Sequence, residues 1–178
     1  MHTSRISCLL SLVTLALFFQ SGCTQYEWSR PALPFKTIYV QPVTNSAFVP
    51  QAQAGLSTQI RQALIRDGRL KLVNNPAKAG AILQINLIDY ERESAVRSSK
   101  DSEVALGFDL TLEAEIALFN QSSNEYLFKG RKHRTTTNTF GSDPSSNEDT
   151  FHRAEYQAMT RITEDLADEI ASAVLEIW

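Results

Sequence analysis

The amino-acid sequence predicts an α+β fold. We expect a single two-layer sandwich, in which a mostly antiparallel sheet of four to five strands carries two helices on one face, in the order β-α-β-β-β-β-α. Apolar residues alternate with polar ones across residues 80–139, as in half-buried strands, and recur at helical spacing in two other segments. Because each helix has one apolar stripe and an antiparallel sheet has one apolar face, both helices should cover the same side of the sheet.

The first strand and the first helix precede the long strands. Ile38 and Val40 alternate with polar neighbours in a strand that ends at Pro42. Apolar residues then recur every three or four positions in a segment that begins at Pro50 and ends before Gly68, which predicts an amphipathic helix with a glycine C-cap. The predicted apolar stripe of this helix consists of Ala52, Leu56, Ile60, Ala63 and Leu64. A short strand is expected at residues 70–73.

Three longer strands should follow Gly80. The first places Ala81, Leu83, Ile85 and Leu87 on one face. Its other face carries Gln84, Asn86, Tyr90 and Arg92. The polar residues 91–103 predict an exposed loop or a ragged hairpin end. The next strand alternates most clearly, with an apolar face formed by Phe108, Leu110, Leu112, Ala114, Ile116 and Leu118. After a turn at residues 121–124, a threonine-rich strand returns, which predicts a hairpin.

A long helix is expected at the C-terminal end of the sequence. Ser145 and Glu148 have the spacing of a capping box, in which two side chains satisfy the first backbone N–H groups of a helix. An apolar stripe then continues to Ile177, so we expect about 30 helical residues that span about 45 Å.

The N-terminal residues have the layout of an export signal. Arg5 precedes an apolar run at residues 9–19, which is too short to span a membrane, and small residues lead to Cys23. This ending resembles the lipobox of bacterial lipoproteins, in which the cysteine is acylated and becomes the first mature residue. We therefore expect residues 1–22 to be a lipoprotein signal peptide, 23–35 a lipidated tether and 36–178 one domain. The alternative is an ordinary signal peptide with a free Cys23.

Charge and cysteine content limit the possible partners. Cys8 is the only cysteine besides Cys23, so a mature chain that begins at Cys23 has no disulfide. Loss of the signal removes Arg5 and leaves 16 basic against 20 acidic residues. The overall charge therefore does not favour nucleic acid, which we do not expect as a partner, and anion binding must come from local basic patches.

The sequence contains no recognisable catalytic constellation. His133 and His152 have no ligands at metal-site spacing, and no phosphate loop or nucleophile motif is present. Glu113 and Glu115 share a strand face as paired acids might, but alternating acids are ordinarily a solvated face. We therefore expect neither an enzyme nor a cofactor, apart from the covalent lipid on Cys23, and a hydrolase is the last-ranked hypothesis.

Basic residues concentrate at one point of the last predicted strand. Alternation places Lys129, Arg131 and His133 on one face, and Lys132 and Arg134 on the other. If the first set shares a face with Glu113 and Glu115, cross-strand ion pairs explain it. If it does not, Lys129 and Arg131, together with Arg97 and Lys100 of the preceding loop, are candidate phosphate ligands.

The order of elements resembles the LptE-type lipoproteins of lipopolysaccharide assembly. The resemblance extends from Cys23 to Trp178 and rests on element order and on three stretches: Tyr39-Val40-Gln41-Pro42-Val43-Thr44-Asn45, the helix before Gly68, and Leu166-Ala167-Asp168-Glu169-Ile170. It implies an outer-membrane lipoprotein at the periplasmic face that plugs the LptD β-barrel and binds lipopolysaccharide.

The resemblance also implies a role for individual basic residues. A basic position in the loop between the long strands matches Arg97, with Lys100 nearby, whereas the family's second basic position falls in residues 141–147, which contain no Lys or Arg. The alternative function is a ligand-binding or auxiliary lipoprotein of an envelope transport or secretion complex.

Overall fold

The computed structural model of the protein describes residues 32–97, 105–140 and 148–177. The predicted signal, Cys23, Lys100 and the capping-box residue Ser145 lie outside these ranges. The chain enters the core early, because Leu33 packs against it and Phe35 is only 5% exposed.

The sheet contains three long strands and three short ones. The strands are β1 (Thr37–Val40), β2 (Thr44–Asn45), β3 (Lys71–Leu72), β4 (Ala81–Arg97), β5 (Ala105–Asn120) and β6 (Glu125–Phe140). Their order across the sheet is β3-β1-β4-β5-β6, with β2 paired to β4. β4, β5 and β6 pair antiparallel, whereas β1 runs parallel to both β3 and β4. The predicted α+β class is confirmed, and the structure adds β2 and the parallel pairing of β1.

Helix α1 (Pro50–Asp67) has the predicted bounds and C-cap. Gly68 follows it with φ of 77°, a left-handed conformation that glycine adopts without a steric penalty, and its N–H donates to the Leu64 carbonyl oxygen at 3.3 Å. The buried residues of α1 are the predicted stripe of Ala52, Leu56, Ile60, Ala63 and Leu64. Spacing and capping thus located this helix from the sequence alone.

Helix α2 (Glu148–Leu175) packs beside α1 over the same face of the sheet. The two helices approach closely at Gly55, where an added Cβ would lie 3.1 Å from Oγ1 of Thr163. The fully buried positions of α2 include Ile162, Leu166, Ile170 and Val174. The six predicted inward residues of β5 complete the layer beneath the helices, and Leu110, Leu112 and Leu118 are fully buried.

A β-bulge in β4 changes which residues face the helices. The pairing with β5 shifts between Leu87 and Asp89, so the residues after the bulge have the opposite alternation from those before it. Tyr90 and Arg92 therefore lie on the helix side, and their predicted position on the polar face is wrong. Of the two alternatives for the polar residues from 91, the ragged hairpin end fits residues 91–97, because β4 continues to Arg97 and its pairing with β5 shifts between Ser94 and Arg97.

Candidate interface surfaces

The open face of the sheet, defined here as the side of β4, β5 and β6 that faces away from the helices, is charged and largely paired. Nζ of Lys132 lies 3.1 Å from Oε1 of Glu113, and Arg134 donates to Oε2 of Glu91 at 2.5 Å. The first pair joins the neighbouring strands β5 and β6, and the second joins β4 to β6 across β5. Cross-strand pairing thus accounts for two of the basic residues in β6 and for one of the two acids considered for catalysis.

Gly130 divides the basic residues of β6 between the two faces of the sheet. Leu118 pairs with Phe128 and Ile116 with Arg131, so β6 has one more residue than β5 between these pairs. Gly130 has φ of 71°, the left-handed conformation found in glycine bulges. The predicted grouping of Lys129 with Arg131 is therefore wrong, because the extra residue reverses the alternation.

Lys129 lies on the open face and has no ion-pair partner among the described residues. Its ammonium nitrogen is 5.1 Å from the ring centroid of Tyr126. Beside it is a shallow depression of about 320 Å³, whose polar lining includes Gln41, Thr44, Gln84, Asn86, Glu115 and Lys129. The side chains are amides, a hydroxyl and one charge of each sign, so the depression suits a polar ligand group or a partner's side chain.

Arg131 and His133 lie on the helix side of β6. The guanidinium carbon of Arg131 is 4.2 Å from the ring centroid of Phe128, in a cation–π arrangement. Nδ1 of His133 is 3.8 Å from Oε2 of Glu169 on α2. Burial lowers the pKa of His133 below its usual value, and the nearby Glu169 carboxylate opposes this effect only in part. Nε2 of His133 is buried without a hydrogen-bond partner among the described residues.

A polar cluster on the helix side joins β4 to α2. Oη of Tyr90 donates to Oε1 of Glu155 at 3.2 Å, and Nη1 of Arg92 lies 3.5 Å from Oε2 of the same carboxylate. Arg92 also stacks over the ring of Phe108, 3.9 Å from its centroid. Burial, followed by the negative charge of Glu155, raises the pKa of Tyr90 to about 12. Tyr90 is therefore a neutral hydrogen-bond donor at physiological pH, and the cluster is structural.

The four candidate anion ligands do not form one site. Lys129 and Arg131 face opposite sides of the sheet. Gln84 of β4 lies level with Lys129 in the pairing register, and Arg97, the last residue of β4, is 13 residues further along the strand. At about 3.3 Å per residue, Arg97 and Lys129 are therefore separated by roughly 40 Å. Lys100 lies outside the described residues.

Phe48 was not singled out by the sequence, yet it is the most exposed large apolar side chain described, at 89%. It lies between β2 and α1 with φ of 59°, which is unfavourable for a residue with a Cβ. The loop is held by backbone bonds from Ser46 and Ala47 to the Leu87 carbonyl, and by the Val49 N–H, which donates to Oδ1 of Asn45. No hydropathy pattern marks such a residue, because its exposure follows from this loop conformation.

Two further findings concern metal binding and membrane insertion in residues 32–97, 105–140 and 148–177. Within these ranges, no three residues of the types His, Cys, Asp and Glu are grouped so that they could hold a metal ion. No helix there is both long and apolar enough to cross a membrane.

The described residues define a class of protein: an α+β domain with a charged open sheet face and a shallow polar depression. The family model described as "LptE: Lipopolysaccharide-assembly" matches residues 35–174. The chain belongs to this lipopolysaccharide-assembly family. The predicted resemblance is confirmed. No curated protein matches the sequence.

Solved structures support the fold. A minor lipoprotein from Acinetobacter baumannii is similar with a TM-score of 0.53 and 15% identity, covering 82% of this chain and 93% of that one. An uncharacterised lipoprotein B from Nitrosomonas europaea has a TM-score of 0.51 and 20% identity, with coverage of 81% and 82%. A hypothetical protein from Chlamydia trachomatis has a TM-score of 0.53 and 14% identity, with coverage of 79% and 95%.

Proposed function

We propose that this protein is an outer-membrane lipoprotein that assists lipopolysaccharide assembly as the plug and partner of an LptD β-barrel. The observation that carries the proposal is the family match over residues 35–174, which includes nearly all of the described domain. The charged open face supports it, because a polar sheet surface can contact the polar interior of a barrel. In this role the protein contributes position and contact, and catalysis is not required.

Acylation of Cys23 would hold the domain at the periplasmic face of the outer membrane. The small residues before Cys23 and the export signal support this assignment. Labelled palmitate should be incorporated into the wild-type chain and into a Cys8→Ser variant, but not into Cys23→Ser. Incorporation into Cys23→Ser would contradict the assignment, and the Cys8→Ser variant controls for the cysteine in the signal.

Lipopolysaccharide phosphates are the proposed ligands of Arg97, Lys100, Lys129 and Arg131. Lys129 and Arg131 support this role because both are exposed and have no carboxylate partner among the described residues. Their separation on the two faces of β6 means that they would contact different phosphate groups or different molecules. The Arg97 and Lys100 region would form a second, independent contact.

The barrel partnership is tested by affinity capture. A C-terminally tagged chain purified from outer membranes in mild detergent should recover LptD, while an unrelated tagged outer-membrane lipoprotein should not. Recovery of components of a different envelope transport or secretion complex, without LptD, would favour the alternative function. Recovery of neither would contradict both partnerships.

A further inference from the structure

The chain enters the fold at one end of the sheet, which we call the tether end and define by Phe35, Thr37, Gly80 and Gln121. The Gly80 N–H donates to the Thr37 carbonyl at 3.0 Å, and the Gln121 N–H donates to the Gly80 carbonyl at 2.9 Å. These bonds place the start of β1, the start of β4 and the end of β5 level with one another. Residues 23–31 therefore connect Cys23 to this end of the domain.

Three lysines lie in separate segments that adjoin at the tether end. Lys36 precedes β1, Lys71 begins β3 and Lys78 ends a short 3-10 turn before β4. The Lys71 N–H donates to the Lys36 carbonyl at 2.9 Å, and Oγ1 of Thr37 donates to the Lys78 carbonyl at 3.4 Å. All three side chains are exposed, and none forms an ion pair with a described residue.

Acidic residues accumulate further along the sheet. Asp89 lies opposite Glu113, and Glu93 lies opposite Asp109, so like charges face each other across β4 and β5 beyond the bulge. This part of the open face is negative even after Lys132 and Arg134 have formed their ion pairs. The acidic part of the open face therefore lies beyond the bulge, away from the three lysines.

We propose that Lys36, Lys71 and Lys78 form a docking surface for the anionic headgroups of a phospholipid bilayer, and that this surface orients the domain on its membrane. The inference rests on the proposed acylation of Cys23. Nine residues, 23–31, can reach at most about 30 Å at ~3.3 Å each, so the lipid anchor keeps the tether end near the headgroups. The acidic part of the sheet is repelled by the same surface, which favours one orientation.

The expected effect is moderate and depends on salt. Each lysine near an anionic bilayer surface shifts the equilibrium between the undocked and docked domain about fivefold. Three lysines therefore favour the docked state on the order of 100-fold. The attraction acts only within a Debye length, about 8–10 Å at physiological ionic strength. Docking should therefore weaken in high salt, while the acyl chains retain the protein on the membrane.

Amine footprinting tests the proposal. The mature full-length chain is purified from membranes, its acylation is established by intact mass, and it is reconstituted into lipopolysaccharide-free vesicles. The vesicles are either pure phosphatidylcholine or contain phosphatidylglycerol. We expect an amine-reactive reagent to modify Lys36 at least about fivefold more slowly on the anionic vesicles. The exposed Lys132, which lies away from the tether end, should react equally on both and serves as the internal reference.

Variants establish that the three lysines act together. In Lys71→Gln/Lys78→Gln, the protection of Lys36 should fall several-fold, because two of the three attractive charges are lost. The control Arg153→Gln/Arg161→Gln removes the same charge from α2 and should keep the full protection. Circular dichroism of each variant confirms that it is folded.

Several outcomes would overturn the proposal. Equal modification of Lys36 on both kinds of vesicle would exclude phospholipid docking while leaving acylation intact. Protection that appears only when lipopolysaccharide is added, or that inorganic phosphate in solution reproduces, would assign the lysines to another ligand. If intact mass shows no acyl group, the lipid anchor fails, and Lys36 protection of the unacylated chain on anionic vesicles then tests the surface by itself.

Discussion

The phenol of Tyr90 donates a hydrogen bond to the carboxylate of Glu155 at 3.2 Å and thereby ties β4 to α2. This contact exists because the bulge after Leu87 turns Tyr90 towards the helices. The partly buried phenol and its anionic acceptor also explain why the pKa of Tyr90 is raised to about 12.

Tyr90 should make the stability of the domain sensitive to alkaline pH. The folded state holds the phenol proton up to about pH 12, whereas the unfolded chain releases it near pH 10. The stabilisation is therefore complete below pH 10 and is lost as the pH rises towards 12. In Tyr90→Phe, the free energy of unfolding should be about 1 kcal/mol lower at pH 7, and its decline between pH 10 and 12 should be smaller. Urea titrations at several pH values measure both effects.

Leu112 on β5 should not tolerate a charge. Its side chain is fully buried beneath the helices, so Leu112→Asp places an unpaired carboxylate in the core. We expect a loss of more than about 4 kcal/mol and an unfolded or aggregated domain, monitored by circular dichroism. Leu112→Met, which nearly conserves volume, should cost less than about 1.5 kcal/mol. A soluble and folded Leu112→Asp protein would contradict the assignment of this strand face.

Gly130 should be hard to replace even though space surrounds it. No atom lies within 4 Å of an added Cβ, so the cost of Gly130→Ala comes from the backbone conformation alone. We expect a loss of about 1–2 kcal/mol in urea unfolding. Asn tolerates the left-handed region better, so Gly130→Asn should lose less. Gly68→Ala, with φ of 77° and open surroundings, is the matched comparison and should behave like Gly130→Ala.

The two basic regions should contribute independently to lipopolysaccharide binding. Arg97→Glu/Lys100→Glu and Lys129→Glu/Arg131→Glu should each weaken binding on the order of tenfold, because charge-assisted phosphate contacts are lost. Since Arg97 lies roughly 40 Å along the sheet from Lys129, the combined variant should show the product of the two effects. Binding of labelled lipopolysaccharide at one fixed salt concentration measures this. The control Arg153→Glu/Arg161→Glu makes the same change of charge and should bind lipopolysaccharide normally. Unchanged binding by Arg97→Glu/Lys100→Glu would show that these two residues are only solvated surface.

The sequence predicted most of the fold, for identifiable reasons. The stripe of α1 and the alternation of β5 each arise from local periodicity, and Gly68 marks the helix end directly. The position of β1 between β3 and β4 could not be predicted, because parallel pairing joins segments that are distant in sequence. The bulge after Leu87 was missed because Ile88 continues the apolar run without interrupting it.

The binding surfaces were harder to predict than the fold. Gly130 within a strand pattern was an available signal for a bulge, and using it would have separated Lys129 from Arg131. Lys36, Lys71 and Lys78 carry no common motif, since only the sheet brings their three segments together. The exposure of Phe48 depends on a loop conformation that no local pattern specifies.

The left-handed glycine of β6 also sets a rule for comparing this strand with its relatives. On its two sides, odd and even positions exchange faces: Lys129 and Lys132 share a surface, while Arg131 belongs to the opposite one. A sequence alignment that moves this glycine by one position would therefore pair residues that serve different environments. In each relative, the face on which a later charged residue of this strand lies should be assigned by counting from the residue aligned with Gly130.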